Sequence, residues 1–182
     1  MVQIKTERLL LRDFEADDWH AVYSYMSDPA HTEYYHIPVG GEENVRRLIN
    51  EFIEWSGESP RQKYQLAIVL PEDGRVVGTV GLRVQNPELG EADLGVGLDP
   101  SEWSQGYAVE AATRMLEFGF DELKLHRVLA ECIAENDAAC KLVDRLGMRE
   151  EGRFKNRRWM HDRWWDSLLF AILDSEWRER KE

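Results

Sequence analysis

A single mixed α/β domain covering residues 1–182 is what this sequence predicts, and three observations predict it. The chain has 182 residues, 43% of them hydrophobic, which suffices for one domain with a substantial core. Short apolar runs of strand character alternate with segments of helical period. Their order is strand, helix, helix, three strands, helix, strand, helix, two strands, so antiparallel pieces come first and a strand–helix–strand crossover follows.

Each element has its own signal. IKTERLLLRDF (4–14) reads as the first strand. Trp19, Val22, Tyr23 and Met26 recur at i, i+3, i+4 and i+7 and predict a helix. AHTEYYHIPVGG (30–41) reads as a loop, closed by Pro38 and a glycine pair. Val45, Leu48, Ile49 and Phe52 mark the second helix. YQLAIVL (64–70) and RVVGTVGLRV (75–84) are strands joined through PEDG, a hairpin turn. EADLGVGL (91–98) is a further strand, and its interior glycines point to a bulge or to a ligand lying close to the backbone. The helix after SEWSQ sets Ala108, Ala111, Ala112, Met115 and Leu116 on one face, with Glu110 and Arg114 paired at i, i+4 on the other. HRVLAECIAE (126–135) is a strand, and NDAACKLVDRLG (136–147) is a helix with Asn136 as its cap and Gly147 just past its end. Strands around 148–158 and 164–173 are followed by a DSEWRER tail.

Composition excludes several classes. A formal net charge of −12 argues against nucleic acid, whose binding feeds on Lys and Arg neutralising phosphates. That surface either draws in cationic substrates such as amines or serves solubility alone. No apolar run is long enough to span a bilayer, and the start lacks the pattern of a secretory signal. Cys132 and Cys140 make no disulfide framework, and the five His form no HxH or HExxH pattern, so no metal is expected.

SEWSQGYAVEAA (101–112) opens a helix with a turn stripped of side chains. The first amides of a helix have no internal partner, and the dipole adds partial positive charge there. Gly106 and Ala108 would let an anion approach that backbone, making a phosphate cradle. No GK[ST] follows and the spacing is not GxGxxG, so neither a P-loop nor a dinucleotide fold is supported. The competing reading is that Gly106 permits tight helix–strand packing.

VGLDPSEWSQGYAVEAA (96–112) resembles the strand and pyrophosphate loop of the GCN5-related N-acetyltransferases (GNAT). That family's loop reads Gln/Arg-x-x-Gly-x-Gly/Ala, matched here at Gly106 and Ala108, with Trp103 where Gln or Arg is usual. The Trp resembles the RimJ/RimL-type branch, as do TERLLLRDF (6–14), LHRVLAECIAENDAACKLVDRLGMREEG (125–152, with Met148 for the usual Phe) and WWDSLLFAILDSEW (164–177). The resemblance covers nearly the whole chain. It implies a central, mostly antiparallel sheet with one parallel crossover and helices on both faces.

It also implies a cytoplasmic enzyme moving acetyl from acetyl-CoA directly to a primary amine, either a protein N-terminus or a small amine. No metal, nucleic acid or membrane is implied, and a homodimer is an open expectation. Amides of Trp103, Ser104, Gln105, Gly106, Tyr107 and Ala108 would hold the pyrophosphate. Main-chain groups of Val96, Gly97 and Leu98 would hold the pantetheine arm, with a bulge in 94–98 polarising the thioester carbonyl. Asn136 would touch CoA, a role compatible with capping. Asp93 is the candidate base, acting through water; Glu91, two residues earlier on the same face, and His36 are alternatives. The position where many members carry an acidic Tyr is Val143, so no side-chain acid is assigned. Tyr34, Tyr35, His36 and Trp164 are acceptor-pocket candidates, alongside Trp159, His161 and Trp165. Neither cysteine is expected near the loop in a nucleophilic setting. A non-catalytic acyl-CoA sensor on the same fold is the competing function.

Overall fold

The computed structural model describes residues 1–35 and 41–180. One sheet of eight strands, ordered β1-β2-β3-β4-β5-β6-β8-β7, organises them. The strands are β1 (Gln3–Lys5), β2 (Leu10–Asp13), β3 (Lys63–Val69), β4 (Val76–Asn86), β5 (Glu91–Leu98), β6 (Arg127–Ile133), β7 (Arg149–Met160) and β8 (Arg163–Leu173). The helices are α1 (Trp19–Met26), α2 (Pro29–Thr32), α3 (Gly41–Ser56), α4 (Tyr107–Glu117), α5 (Asp137–Arg145) and α6 (Asp174–Glu179). Every strand pair is antiparallel except β5 with β6, which α4 connects. None of the helices is long and apolar enough to cross a membrane.

The predicted first strand is in fact a hairpin. Thr6 folds it: its N–H donates to the Leu9 carbonyl at 2.9 Å, and its hydroxyl accepts from the Leu9 N–H at 2.9 Å. A threonine turn of this kind carries no Gly, Pro or Asn, which is why the stretch reads as continuous. The predicted loop over 30–41 is also interrupted, since α2 begins at Pro29 with Asp28 capping the Ala30 N–H at 2.8 Å.

Helices cover both faces. Ala111, Ala112, Met115 and Leu116 of α4 are fully buried against the sheet, together with Val143 and Leu146 at the α5 end. Val22, Met26, Val45 and Ile49 from α1 and α3 cover the opposite face, packing on Ala67 and Val69. At about 25 cal/mol per Å² of apolar area, these two layers are the main stabilising term. On α1 the buried tyrosine is Tyr25 and not Tyr23, so the apolar stripe is rotated by part of a turn from the sequence pattern.

A charged network ties the β1–β2 hairpin to α4. Glu110 Oε1 accepts from the Thr6 hydroxyl at 2.6 Å and the Arg8 N–H at 2.8 Å, while Oε2 accepts from Arg8 Nε at 2.8 Å. Burial works against the Glu110 charge, but the bonds from Thr6 and Arg8 outweigh it and hold the carboxyl below its ordinary value. Folding stability from Glu110 is therefore present above the ordinary carboxylate range and is lost as pH falls through the lowered folded-state value. Glu110→Gln is expected to cost about 1–3 kcal/mol at neutral pH in urea denaturation. The gap to wild type should shrink on acidification; equal stability at neutral pH would mean that the network contributes nothing.

Candidate active site

The site begins where β5 leaves β6. Their parallel pairing runs from Glu91–Arg127 to Asp93–Leu129 and stops. On its other edge, β5 stays in continuous register with β4 from Ala92 to Leu98. The expected bulge within 94–98 is absent; the register shift lies on β4, between Val84 and Asn86. Backbone groups are freed by the splaying of two strands, not by a bulge. Asp99 N–H donates to Val77 of β4, so by alternation Leu94, Val96 and Leu98 turn their N–H and C=O toward the gap. Two of those carbonyls are engaged: Val96 accepts from the Tyr35 hydroxyl at 2.9 Å, and Leu98 accepts from Trp103 Nε1 at 3.2 Å. Gly97 lies beside this contact, where an added Cβ would meet the Tyr35 hydroxyl at 3.4 Å.

Beyond β5, Asp99 caps a short 3₁₀ turn over Pro100–Glu102, and the chain then reaches α4 through a bare bend. Ser104 and Gly106 both have left-handed backbone, with φ of 65° and 83°. Gly106 is the N-cap of α4, is exposed, and would present an added Cβ to nothing nearer than Arg8 Nη2 at 3.4 Å. The tight-packing reading of this glycine is therefore wrong. Intrahelical bonding begins with the Glu110 N–H on the Gly106 carbonyl. The amides of the first turn, from Tyr107, have no intrahelical partner, and no side chain caps them at Gly106. Arg8 holds this bend from beside it, donating to the Gln105 carbonyl at 2.9 Å and lying 4.7 Å above the Tyr107 ring. A helix start with free amides, left-handed backbone and an adjacent guanidinium suits a pyrophosphate.

A cavity of about 400 Å³ occupies the fork between β5 and β6. Tyr34, Tyr35, Asp93, Leu94, Gly95 and Val96 line one side. Asn136 and Val143 face it from α5. Asn136 accepts from the Ala139 N–H at 3.0 Å as an N-cap, leaving its side-chain NH₂ available to a ligand. Asp93 accepts from Gln85 Nε2 at 2.6 Å and ends the part of β5 that pairs with β6. Glu91 is placed elsewhere: it sits 3.5 Å from Arg127, which also binds Glu151, and it does not line the cavity. Trp164 does not line it either; it is 55% exposed and packs edge-on against Trp159. Trp165 is the buried one of the pair, donating to the Met160 carbonyl at 2.9 Å, and His161 lies outside the cavity near the Thr32 carbonyl. His36 lies outside the described residues.

Several lining groups escaped the sequence reading. Cys132 reaches the cavity although it is far from the loop in sequence. Burial pushes its thiol up to about 12, so it is protonated and no nucleophile. Ser167 is fully buried, with a hydroxyl that has no partner among the described residues. Outside the lining, His31, 6% exposed, stacks on Tyr35 at 4.7 Å with neither ring nitrogen hydrogen-bonded among the described residues, and burial lowers its pKa. Arg83, Glu131 and Arg158 complete the charged lining. A strand arginine two residues from a glycine, in GTVGLRV, was the available signal for Arg83.

Comparison with known proteins fits this geometry. The acetyltransferase (GNAT) domain model matches residues 8–149, and the chain belongs to that family. YnaD of Bacillus subtilis, named as an N-acetyltransferase, is 35% identical over 97% of this chain and 99% of its own. A crystal structure of a GNAT-family acetyltransferase from Bacillus anthracis superposes with a TM-score of 0.84 at 34% identity, covering 96% of this chain and 100% of the other. Spermidine N-acetyltransferase from Vibrio cholerae, solved with CoA and spermine, has a TM-score of 0.81 at 21% identity over 94% and 98% of the two chains, a likeness of fold. The chain is an N-acetyltransferase of a family that uses acetyl-CoA.

Gly106 offers a direct check on the loop. Any L-residue there pays roughly 1 kcal/mol or more for the left-handed backbone, and a carboxylate adds repulsion toward an anionic ligand. Gly106→Glu is expected to stay folded by circular dichroism, because the position is exposed, and to lose most acetyl-CoA affinity by calorimetric titration. A folded variant that binds like wild type would exclude the loop as the pyrophosphate site.

Proposed function

We propose that the chain transfers acetyl from acetyl-CoA directly to the primary amine of a small molecule or a protein N-terminus, in the manner of the RimJ/RimL-type enzymes. The observation that carries this reading is the fork after Asp93, which opens freed backbone groups of β5 and a carboxylate onto one cavity, with the bare Gly106 helix start just beyond the end of the same strand.

Acetyl-CoA would supply an acetyl thioester: the amine nitrogen bonds to its carbonyl carbon, the carbon–sulfur bond breaks, and the thiol of CoA leaves. Trp103–Ala108 would hold the pyrophosphate on main-chain amides. Leu94, Val96, Gly97 and Leu98 would run alongside the pantetheine arm, and a free amide in that stretch would polarise the carbonyl where negative charge develops. Trp103 supports the site by pinning the loop to the Leu98 carbonyl. Asn136 would donate its NH₂ to CoA. Tyr34 and Tyr35 would wall the acceptor side.

Asp93 would accept the amine's proton, through water. Its one hydrogen-bond donor among the described residues is the neutral Gln85 amide, and no cation among them pairs with it. Glu91, tied to Arg127, is less available. Val143 offers no acid to the departing sulfur, and thiols near a pKa of about 8.5 leave with solvent assistance.

Acetyl-CoA at 100 times its dissociation constant would stabilise the fold by about 2.7 kcal/mol, a rise of about 5–10 °C in melting temperature. ATP and NAD at the same concentration are expected to give none. No shift with saturating acetyl-CoA would remove the donor from the scheme.

Asp93→Asn should lower kcat/KM for an amine roughly 10²-fold near neutral pH and leave acetyl-CoA affinity unchanged. The deficit should narrow at high pH, where the amine arrives already deprotonated. Full turnover by the variant at neutral pH would shift the base to another group or to solvent.

A further inference from the structure

Gly81 of β4 and Gly95 of β5 are cross-strand partners on the sheet face covered by α1 and α3. An added Cβ at Gly81 would run into Gln65 Oε1, and one at Gly95 would lie 2.9 Å from Arg83 Nη2. The glycine pair clears the sheet surface so that two polar side chains lie flat across it. Gln65 is 4% exposed; it donates from Nε2 to Thr79 Oγ1 at 2.6 Å and accepts from Arg83 Nη1 at 3.1 Å. The Thr79 hydroxyl donates in turn to the Leu66 carbonyl at 3.1 Å, so it can only accept from Gln65. That fixes the amide with its oxygen toward Arg83.

Arg83 is thus positioned by a buried relay, with its guanidinium in the cavity beside Gly95. It forms no ion pair among the described residues. Asp93 stands opposite it across β4 and β5 but is hydrogen-bonded by Gln85 instead. The other lining arginine, Arg158, is paired with Glu131 at 3.0 Å. A half-buried guanidinium held by one neutral amide retains a planar set of donors suited to a carboxylate.

We propose that Arg83 receives a carboxylate on the acceptor, so that the acceptor is an amine with an acid group a few bonds away, of the free amino-acid class. The proposal rests on the amine-acetylation reading above. The Arg83 guanidinium lies beside Gly95, two residues along β5 from Asp93 on the same face, a rise of about 7 Å. An acceptor with its amine facing Asp93 and its acid on Arg83 therefore spans only a few bonds. The charged lining is balanced, Asp93 and Glu131 against Arg83 and Arg158, so the cavity has no acidic surplus to collect a polyamine despite the net charge of −12.

The test compares free amino acids, their C-terminal amides and spermidine as acceptors at equal free-amine concentration, with acetyl-CoA and with succinyl-CoA. Wild type should favour amino acids over their amides by about 10- to 100-fold in kcat/KM. Arg83→Gln should erase that preference by raising KM for the amino acid far more than for the amide; Arg83→Lys should restore part of it. Spermidine or the amides serving as well as the amino acids would overturn the proposal while leaving amine acetylation intact. So would Arg83→Gln lowering all acceptors alike. A preference for succinyl-CoA that disappears in Arg83→Gln would put the carboxylate on the donor and overturn it too. Acetyl-CoA binding without turnover of any amine would overturn both readings.

Discussion

The parallel pairing of β5 with β6 ends after Asp93, and the rest of the site depends on that ending. Buried backbone groups need hydrogen-bond partners, and an interior strand finds them on both edges. From Leu94 onward β5 has a partner on the β4 edge alone. The chain tolerates this because Tyr35 and Trp103 occupy the Val96 and Leu98 carbonyls and because the gap opens into a cavity. A fully zipped sheet would be better bonded and would have no place for a third strand-like ligand.

The two layers of helices hold the fork open. α4 and α5 pack on one face, and α4 starts a few residues beyond the end of β5. α1 and α3 cover the other face, and the short α2 brings Tyr34 and Tyr35 to the rim. The two helix layers therefore approach the same strands from opposite faces. Glu110, Thr6 and Arg8 lock the hairpin to the first turn of α4 and keep the bend at Gly106 in position.

Much of this was legible in the residues, for local reasons. The crossover order, the Asn136 cap and the bare turn at Gly106 are written in nearest-neighbour chemistry, and the structure places each where that chemistry requires. The hairpin within 4–14 was not, because Thr6 turns the chain with a side chain that equally suits a strand. Nor was the source of free backbone: glycines in 94–98 suggested a bulge, whereas the cause is the divergence of β6, a strand distant in sequence that no window on β5 contains. Cys132 and Ser167 were invisible for the same reason, since their exposure to the cavity is a property of pairing between distant strands. Trp164 and Glu91 show the converse error, residue types suited to a site but carried off it by strand alternation and by an ion pair.

The contact between Trp103 and Leu98 sets an indole beside the proposed phosphate loop, 45% exposed and anchored at one end. An indole so placed is a built-in optical probe. Its emission responds to the polarity around the bend, so occupancy of the loop is open to spectroscopic titration on the unlabelled protein, without following the chemistry at all.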